Sequence, residues 1–194
     1  MGPGTDHELY VRWVQWASWS GVMRSHDRGM SAGGCKNPFP TRDFDEVRCE
    51  IVQVWDVPRM YFEANREALL TRAALIPYIY TASRQAFDSG LSILRPLYYS
   101  FPAEDMAYAA DQYGNWSQYM FGEDVMAAPV LFPGDADTTL AQTSIWIPPG
   151  QWIGFPGGEV YTGGSEVFLK REWDMREVPV FVRAGAVIPS IPIV

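Results

Sequence analysis

The sequence predicts an α/β segment followed by an all-β unit, an antiparallel β-sandwich. Three observations carry this. Apolar residues recur at helical steps up to about Gly90. Beyond Gly90 the pattern changes to short apolar or alternating runs rich in β-branched and aromatic residues. Gly/Pro pairs punctuate those runs: Pro149-Gly150, Pro156-Gly157-Gly158 and Gly163-Gly164. Helices first and strands later divide the chain into residues 1–90 and 91–194.

The first element is a helix from Glu8 to Ser18, where Leu9, Trp13 and Trp16 share one face and Gly21 ends the run. Val22-Met23 then reads as a very short apolar strand, followed by the polar stretch Arg24-Ser25-His26. A long loop spans Asp27 to Pro58, rich in Gly, Pro and charge, with "CEIVQVW" inside it as a short strand or helical turn. From Arg59 to Ser89 the pattern is helical again, with Phe62, Leu69, Ala73, Ile76, Tyr80 and Phe87 on one face. Pro77 kinks this helix, because proline removes a backbone donor and clashes one turn back. Gly90 suits the residue just past its end. The strands then follow in "LSILRPLYYSF", "EDVMAAPVLF", "TSIWI", "QWIGF", "EVYTG", "EVFLK" and "VPVFVRAGAVIP".

Composition narrows the function classes. The chain has 47% hydrophobic and 20% charged residues, which fits a folded protein and excludes disorder. A net charge of −8, with the basic residues scattered, leaves no electrostatic footprint for nucleic acid or for an anionic membrane surface. No apolar run reaches transmembrane length, and "MGPGTDHE" shows neither a basic nor an apolar leader region. The chain opens as though in mid-fold. Cys35 and Cys49 lie in one loop and could pair, but they match no zinc spacing and leave the redox compartment open. Asn115-Trp116-Ser117 is a formal glycosylation sequon.

Few residues advertise chemistry. Asp43, Asp45 and Glu46 read as a solvated loop face, and no Gly-x-Ser-x-Gly elbow or phosphate-cradling loop is present. Arg24 and His26 stand out by position. Residues just past the C-terminal end of a strand face the active site in a β/α barrel. A histidine there can bind a sugar hydroxyl, and an arginine can fix a carboxylate or a hydroxyl pair. The alternative is a surface histidine with no ligand. High aromatic content, with eight Trp, is compatible with a sugar-binding surface and equally with a large core.

The quoted motifs carry a resemblance. "ELYVRWVQWASWSGVMRSH" resembles a stretch of glycoside hydrolase family 31 in which a helix E-L-x-x-R-W-x-Q leads to a strand ending in R-x-H. "REALLTRAALIPYIYTASRQAFDSG" is similar to that family's last barrel helix. "LSILRPLYYSFP", "QYMFGEDVMAAPVL", "IWIPPGQWIGF", "GEVYTGG" and "VPVFVRAGAVIP" are similar to its C-terminal β-domain, in the same order. The resemblance covers nearly the whole chain. It implies the last βα portion of a (β/α)8 barrel followed by the β-sandwich, and a retaining α-glycosidase of the α-glucosidase or α-xylosidase kind.

It further implies that His26 hydrogen-bonds the sugar being cleaved. Arg24 either braces the barrel mouth through acidic partners or touches the sugar. Arg12 and Trp13 are implied packing residues. Gly122, Ala128, Pro129, Pro179, Arg183, Ala184 and Gly185 serve turns, bends and the seam with the barrel. The family's two catalytic aspartates lie in earlier barrel segments, one of them of the form Trp-x-Asp-Met, and neither segment is in this sequence. The implied substrate is an α-glycoside or oligosaccharide, the implied partner is the N-terminal part of the same enzyme, and no metal or cofactor is required. The long loop exceeds the family's commonest versions. A competing reading is a non-catalytic carbohydrate-binding module, with Trp116, Trp146, Trp152 and Trp173 as stacking faces.

Overall fold

A computed structural model describes residues 6–24, 54–55, 57–109 and 118–193. His26, Cys35, Cys49, Trp116 and nearly all of the Asp27–Pro58 loop lie outside the described residues.

Helix α1 spans His7–Ser18. Asp6 starts it, its Oδ1 accepting from the Leu9 N–H at 2.9 Å, and Glu8 in the first turn suits the positive end of the helix dipole. The buried face of α1 is Val11, Arg12, Val14, Gln15 and Ser18. Leu9, Trp13 and Trp16 do share a face, but it is the outer one, and Trp13 is 58% exposed. Arg12 and Gln15 can occupy this inner face because they bond to backbone carbonyls of residues 174–177, while the Ser18 hydroxyl bonds back to Val14 O.

The long helical pattern forms two helices, α2 (Arg59–Ala74) and α3 (Ile76–Ser89), that break at Leu75. Pro77 sits in the first turn of α3, where no intrahelical donor is needed. The Ala74 carbonyl at the break accepts from Ile191 N–H at 3.0 Å, so the C-terminal tail satisfies it. Gly90 closes α3 in the left-handed conformation, φ 75°, its N–H bonded to Ala86 O at 2.9 Å. Along α2 and α3 the buried side chains are Ala64, Asn65, Ala68, Leu75, Tyr78 and Ala82. Three members of the expected apolar face, Ile76, Tyr80 and Phe87, are 55%, 78% and 82% exposed.

Among the described residues eight strands follow: β1 (Leu94–Pro96), β2 (Tyr119–Phe121), β3 (Val125–Ala127), β4 (Ala141–Trp146), β5 (Gly150–Gly154), β6 (Val160–Gly163), β7 (Phe168–Trp173) and β8 (Val180–Arg183). A short helix α4 (Leu97–Ser100) and a 3-10 turn (Asp105–Tyr108) interrupt them. Six strands form one antiparallel sheet in the order β1-β2-β3-β8-β5-β6, and β4 pairs with β7 as a second sheet. In β7 the outer and inner residues alternate cleanly up to the buried Trp173, as expected when one face is packed and the other solvated.

The central strands are buried on both faces, which is why "MF" and "VMA" are apolar throughout. Met120, Met126 and Phe181 point into a core shared with Ile145, Trp146, Ile147, Trp152 and Trp173. Their neighbours Phe121, Val125, Ala127 and Val180 point the other way, onto Trp19, Leu75 and Tyr78 of the helical half. The result is three layers: β4/β7, the six-stranded sheet, and the helices. Several residues implied as structural take that part. Gly122 and Gly185 turn at φ 70° and 89°, Ala128 N–H bonds to Pro179 O at 2.9 Å, and Arg183 N–H bonds to Asp124 O at 2.8 Å.

Candidate functional site

The site is built on the C-terminal end of α1. Its foundation is Arg12, which is only 6% exposed. Nη1 of Arg12 donates to Gln15 Oε1 (3.1 Å), Asp174 O (3.3 Å) and Glu177 O (3.2 Å), and Nε lies 3.7 Å from a Glu8 carboxylate oxygen. Burial holds its pKa below the ordinary arginine value, and the negative charge of Glu8, Asp174 and Glu177 opposes that shift. Gln15 Nε2 donates to Met175 O at 2.6 Å, and Glu8 accepts from the Gly134 N–H at 2.9 Å. These bonds tie α1 to the loops that follow β7 and β3. The packing role implied for Arg12 is realised; Trp13 instead meets Trp16 edge-on, ring centroids 5.1 Å apart, on the outer face.

At its far end α1 runs into the turn that begins the R-x-H stretch. Trp19 buries its ring between Phe121 (6.3 Å) and Phe155 (5.6 Å). Six consecutive carbonyls, Ala17 to Val22, each accept a side-chain hydrogen bond. Arg72 of α2 donates to Ala17 O (3.3 Å), Ser18 O (3.1 Å), Ser20 O (2.6 Å) and Gly21 O (3.3 Å). Tyr119 of β2 donates its hydroxyl to Trp19 O at 3.1 Å. Ser20 Oγ donates to Ala17 O and Val22 O, both at 2.7 Å. A cation here also complements the negative end of the helix dipole. Burial lowers the pKa of Arg72 and raises that of Tyr119. Gly21 is packed close: a Cβ there would sit 3.3 Å from Ile93 Cδ1.

Val22, Met23 and Arg24 leave this turn as irregular chain rather than a strand. A parallel barrel strand needs a neighbour to pair with, and the described residues offer none at this point. Arg24 is exposed, and His26 follows it outside the described residues. Among the described residues no three His, Cys, Asp or Glu side chains come together to hold a metal ion. Trp146, Trp152 and Trp173 are buried in the sandwich core, so none offers a free stacking face. Arg72 and Tyr119 were not singled out by sequence reasoning. Their signal was weak: each sits in an apolar run where a single polar atom is easily passed over.

The geometry is that of a helical unit packed against a two-sheet β structure. The profile of the glycosyl hydrolase family 31 TIM-barrel domain matches residues 2–82, and that of the family 31 C-terminal domain matches residues 90–188. The chain belongs to glycosyl hydrolase family 31. It is 30% identical over 184 residues to a 1,6-alpha-glucosyltransferase of Sporosarcina globispora, covering 94% of this chain and 12% of that protein. It is likewise 30% identical over 185 residues to an alpha-xylosidase of Saccharolobus solfataricus, covering 95% of this chain and 21% of the relative. Among solved structures it resembles a Flavobacterium johnsoniae family 31 dextranase complexed with isomaltotriose. That likeness has a TM-score of 0.75 and 26% identity, over 97% of this chain and 20% of the other. The chain thus spans about a fifth or less of these proteins.

Proposed function

We propose that the chain serves as the C-terminal part of a retaining α-glycosidase acting on an α-glucoside or α-xyloside. Residues 1–90 supply the end of the catalytic barrel and residues 91–194 the β-domain. His26 hydrogen-bonds the hydroxyls of the sugar being cleaved, and Arg24 stands beside it at the barrel mouth. The observation that carries this reading is the turn from Ala17 to Val22, whose carbonyls are all held by side chains of the turn, α2 and β2. Such a turn fixes where the R-x-H stretch begins. The family membership supplies the reaction, and the relatives' complexes with isomaltotriose and xylose support a glycan ligand.

In the whole enzyme one aspartate forms a covalent glycosyl intermediate, while a second protonates the leaving oxygen and then activates water. Both belong to barrel segments outside this sequence. The part of His26 is differential: its hydrogen bonds strengthen as the sugar ring flattens towards the transition state. Replacing His26 by Ala in the full-length enzyme is expected to lower kcat/KM about 10²-fold, near 2.7 kcal/mol. Unchanged kinetics would remove His26 from the site.

A further inference from the structure

We propose that the cleft between α2 and the loops after β5 and β7 is a further glycan-binding site, taking an uncharged, hydroxyl-rich ring. The walls of the cleft carry this inference, and His26 has no part in it. Its volume is about 670 Å³, within the usual range for sites that enclose a small molecule. Ala64 and Ala68 line it from α2, and Phe155 and Tyr161 line it from the sandwich. Glycine shapes the turn after β5. A Cβ on Gly157 would collide with the Glu159 carboxylate, and one on Gly154 would sit 3.2 Å from both that carboxylate and the Tyr161 ring.

Charge disfavours an anion. Glu67, Glu159, Asp174 and Glu177 line the cleft against Arg171 and Arg176. Both arginines are already paired, Arg176 Nε donating to Glu67 at 3.0 Å and Arg171 Nη2 to Glu177 at 2.6 Å. The groups still unmet are of both kinds. Among the described residues the Glu159 carboxylate accepts no hydrogen bond, and the Tyr161 hydroxyl makes none. Trp173 is 5% exposed, and its Nε1–H has no acceptor among them. The same holds for the buried Nε–H of Arg171, whose guanidinium lies 3.7 Å from the centre of the Trp173 ring. A buried donor without an acceptor is costly, so each calls for a partner. A hydroxyl both donates and accepts, and a ring bearing several can serve the carboxylate and the N–H groups together. An ammonium only donates and would leave both nitrogens unmet. The Arg171 side chain, 36% exposed, turns aside to let a ligand oxygen reach them. Phe155 and Tyr161 supply aromatic surface for the C–H face of the sugar.

The test is amide hydrogen exchange of the full-length enzyme titrated with isomaltotriose. Exchange should slow in residues 154–161 and 171–178, with half-saturation at about 1 mM. Glu159→Ala, at an exposed position, should raise the half-saturating concentration about 10-fold. Tyr161→Phe, which keeps the ring and removes only the hydroxyl, should raise it by a smaller factor. No slowing in these segments, or the same half-saturation in wild type and both variants, overturns the site. Glucuronate should protect less than isomaltotriose, and equal or stronger protection by this anion overturns the uncharged class of ligand. His26→Ala should leave the slowing in place. Its loss in that variant would trace the effect to the barrel mouth and overturn the site. Unchanged kinetics of His26→Ala, with the slowing intact, would remove His26 from the sugar subsite and leave the cleft standing, so the two readings fail separately.

Discussion

The hydroxyl of Tyr78 occupies the space that a Cβ on Gly122 would need. The same hydroxyl donates to the Phe121 carbonyl at 2.6 Å, so α3 is fastened to the β2–β3 turn at one point. Gly122 is at φ 70°, a conformation L side chains rarely adopt. The two constraints coincide: glycine is required by the backbone and again by its neighbour.

Gly122→Ala is therefore expected to destabilise the chain by about 2–3 kcal/mol. The left-handed backbone accounts for about 1–2 kcal/mol of this, and the displaced Tyr78 bond for about another 1. Urea unfolding of Gly122→Ala, Tyr78→Phe and the double variant measures it. Gly122→Ala should cost less in the Tyr78→Phe background, and strict additivity would show that the two residues do not share the space.

High pH should loosen the same joint. Burial, the largest cause, pushes the Tyr78 phenol up from its ordinary value of 10.0 to about 12. A group whose pKa is raised in the folded state contributes stability below its unfolded pKa and loses it as pH climbs towards the folded one. Stability should fall between about pH 10 and about pH 12, by on the order of 2–3 kcal/mol from this residue. Denaturation midpoints at stepped pH should show a shallower decline for Tyr78→Phe. An identical slope in both proteins would assign the effect to other groups.

The outer face of α3 carries Ile76, Tyr80 and Phe87, all more than half exposed. Exposed apolar surface of this kind favours self-association. Replacing all three by Gln should lower aggregation of residues 1–194, read by light scattering at increasing concentration. The unfolding free energy should shift by less than about 1 kcal/mol, as is usual for surface sites. A large loss of stability would show that these side chains are packed in the isolated chain.

Residues 1–194 alone should show no turnover of an aryl α-glucoside, because neither aspartate-bearing segment is present. Measurable hydrolysis that co-purifies with the chain through a second column would overturn the assignment of chemistry to the upstream barrel.

Much of the fold was legible because its cues are local. The Pro77 break, the Gly90 cap and the alternation in β7 each follow from backbone chemistry within a few residues. The inner face of α1 was not legible. Leu9, Trp13 and Trp16 form the more apolar stripe, yet Arg12 and Gln15 are buried beside Val11 and Val14. Their partners at Asp174, Met175 and Glu177 are distant in sequence, and periodicity cannot see a partner of that kind. The candidate site divided in the same way. Arg24 and His26 could be proposed from their position after a helix and a short apolar run; Arg24 is exposed and His26 lies outside the described residues. Arg72 could not, since a lone arginine in "LLTRAALI" looks like the solvated side of a helix until its four carbonyls are seen.

The bonds from Arg12 and Gln15 also set a schedule. Their acceptors lie 160 to 165 residues further along the chain. At ribosomal rates of about 5–20 residues per second, α1 waits roughly 10–30 s for the backbone that will anchor it. Throughout that interval Val11 and Val14 have nothing to pack on from the C-terminal loops, and the turn bearing Arg24 waits for Tyr119. Synthesis halted before Asp174 would leave Arg12 and Gln15 without these acceptors, with α1 held by its contacts to α2, β2 and Gly134. The loop after β7 thus acts as a check on the order of assembly: the bonds of Arg12 and Gln15 close only once residues 160 to 165 positions further along have been made.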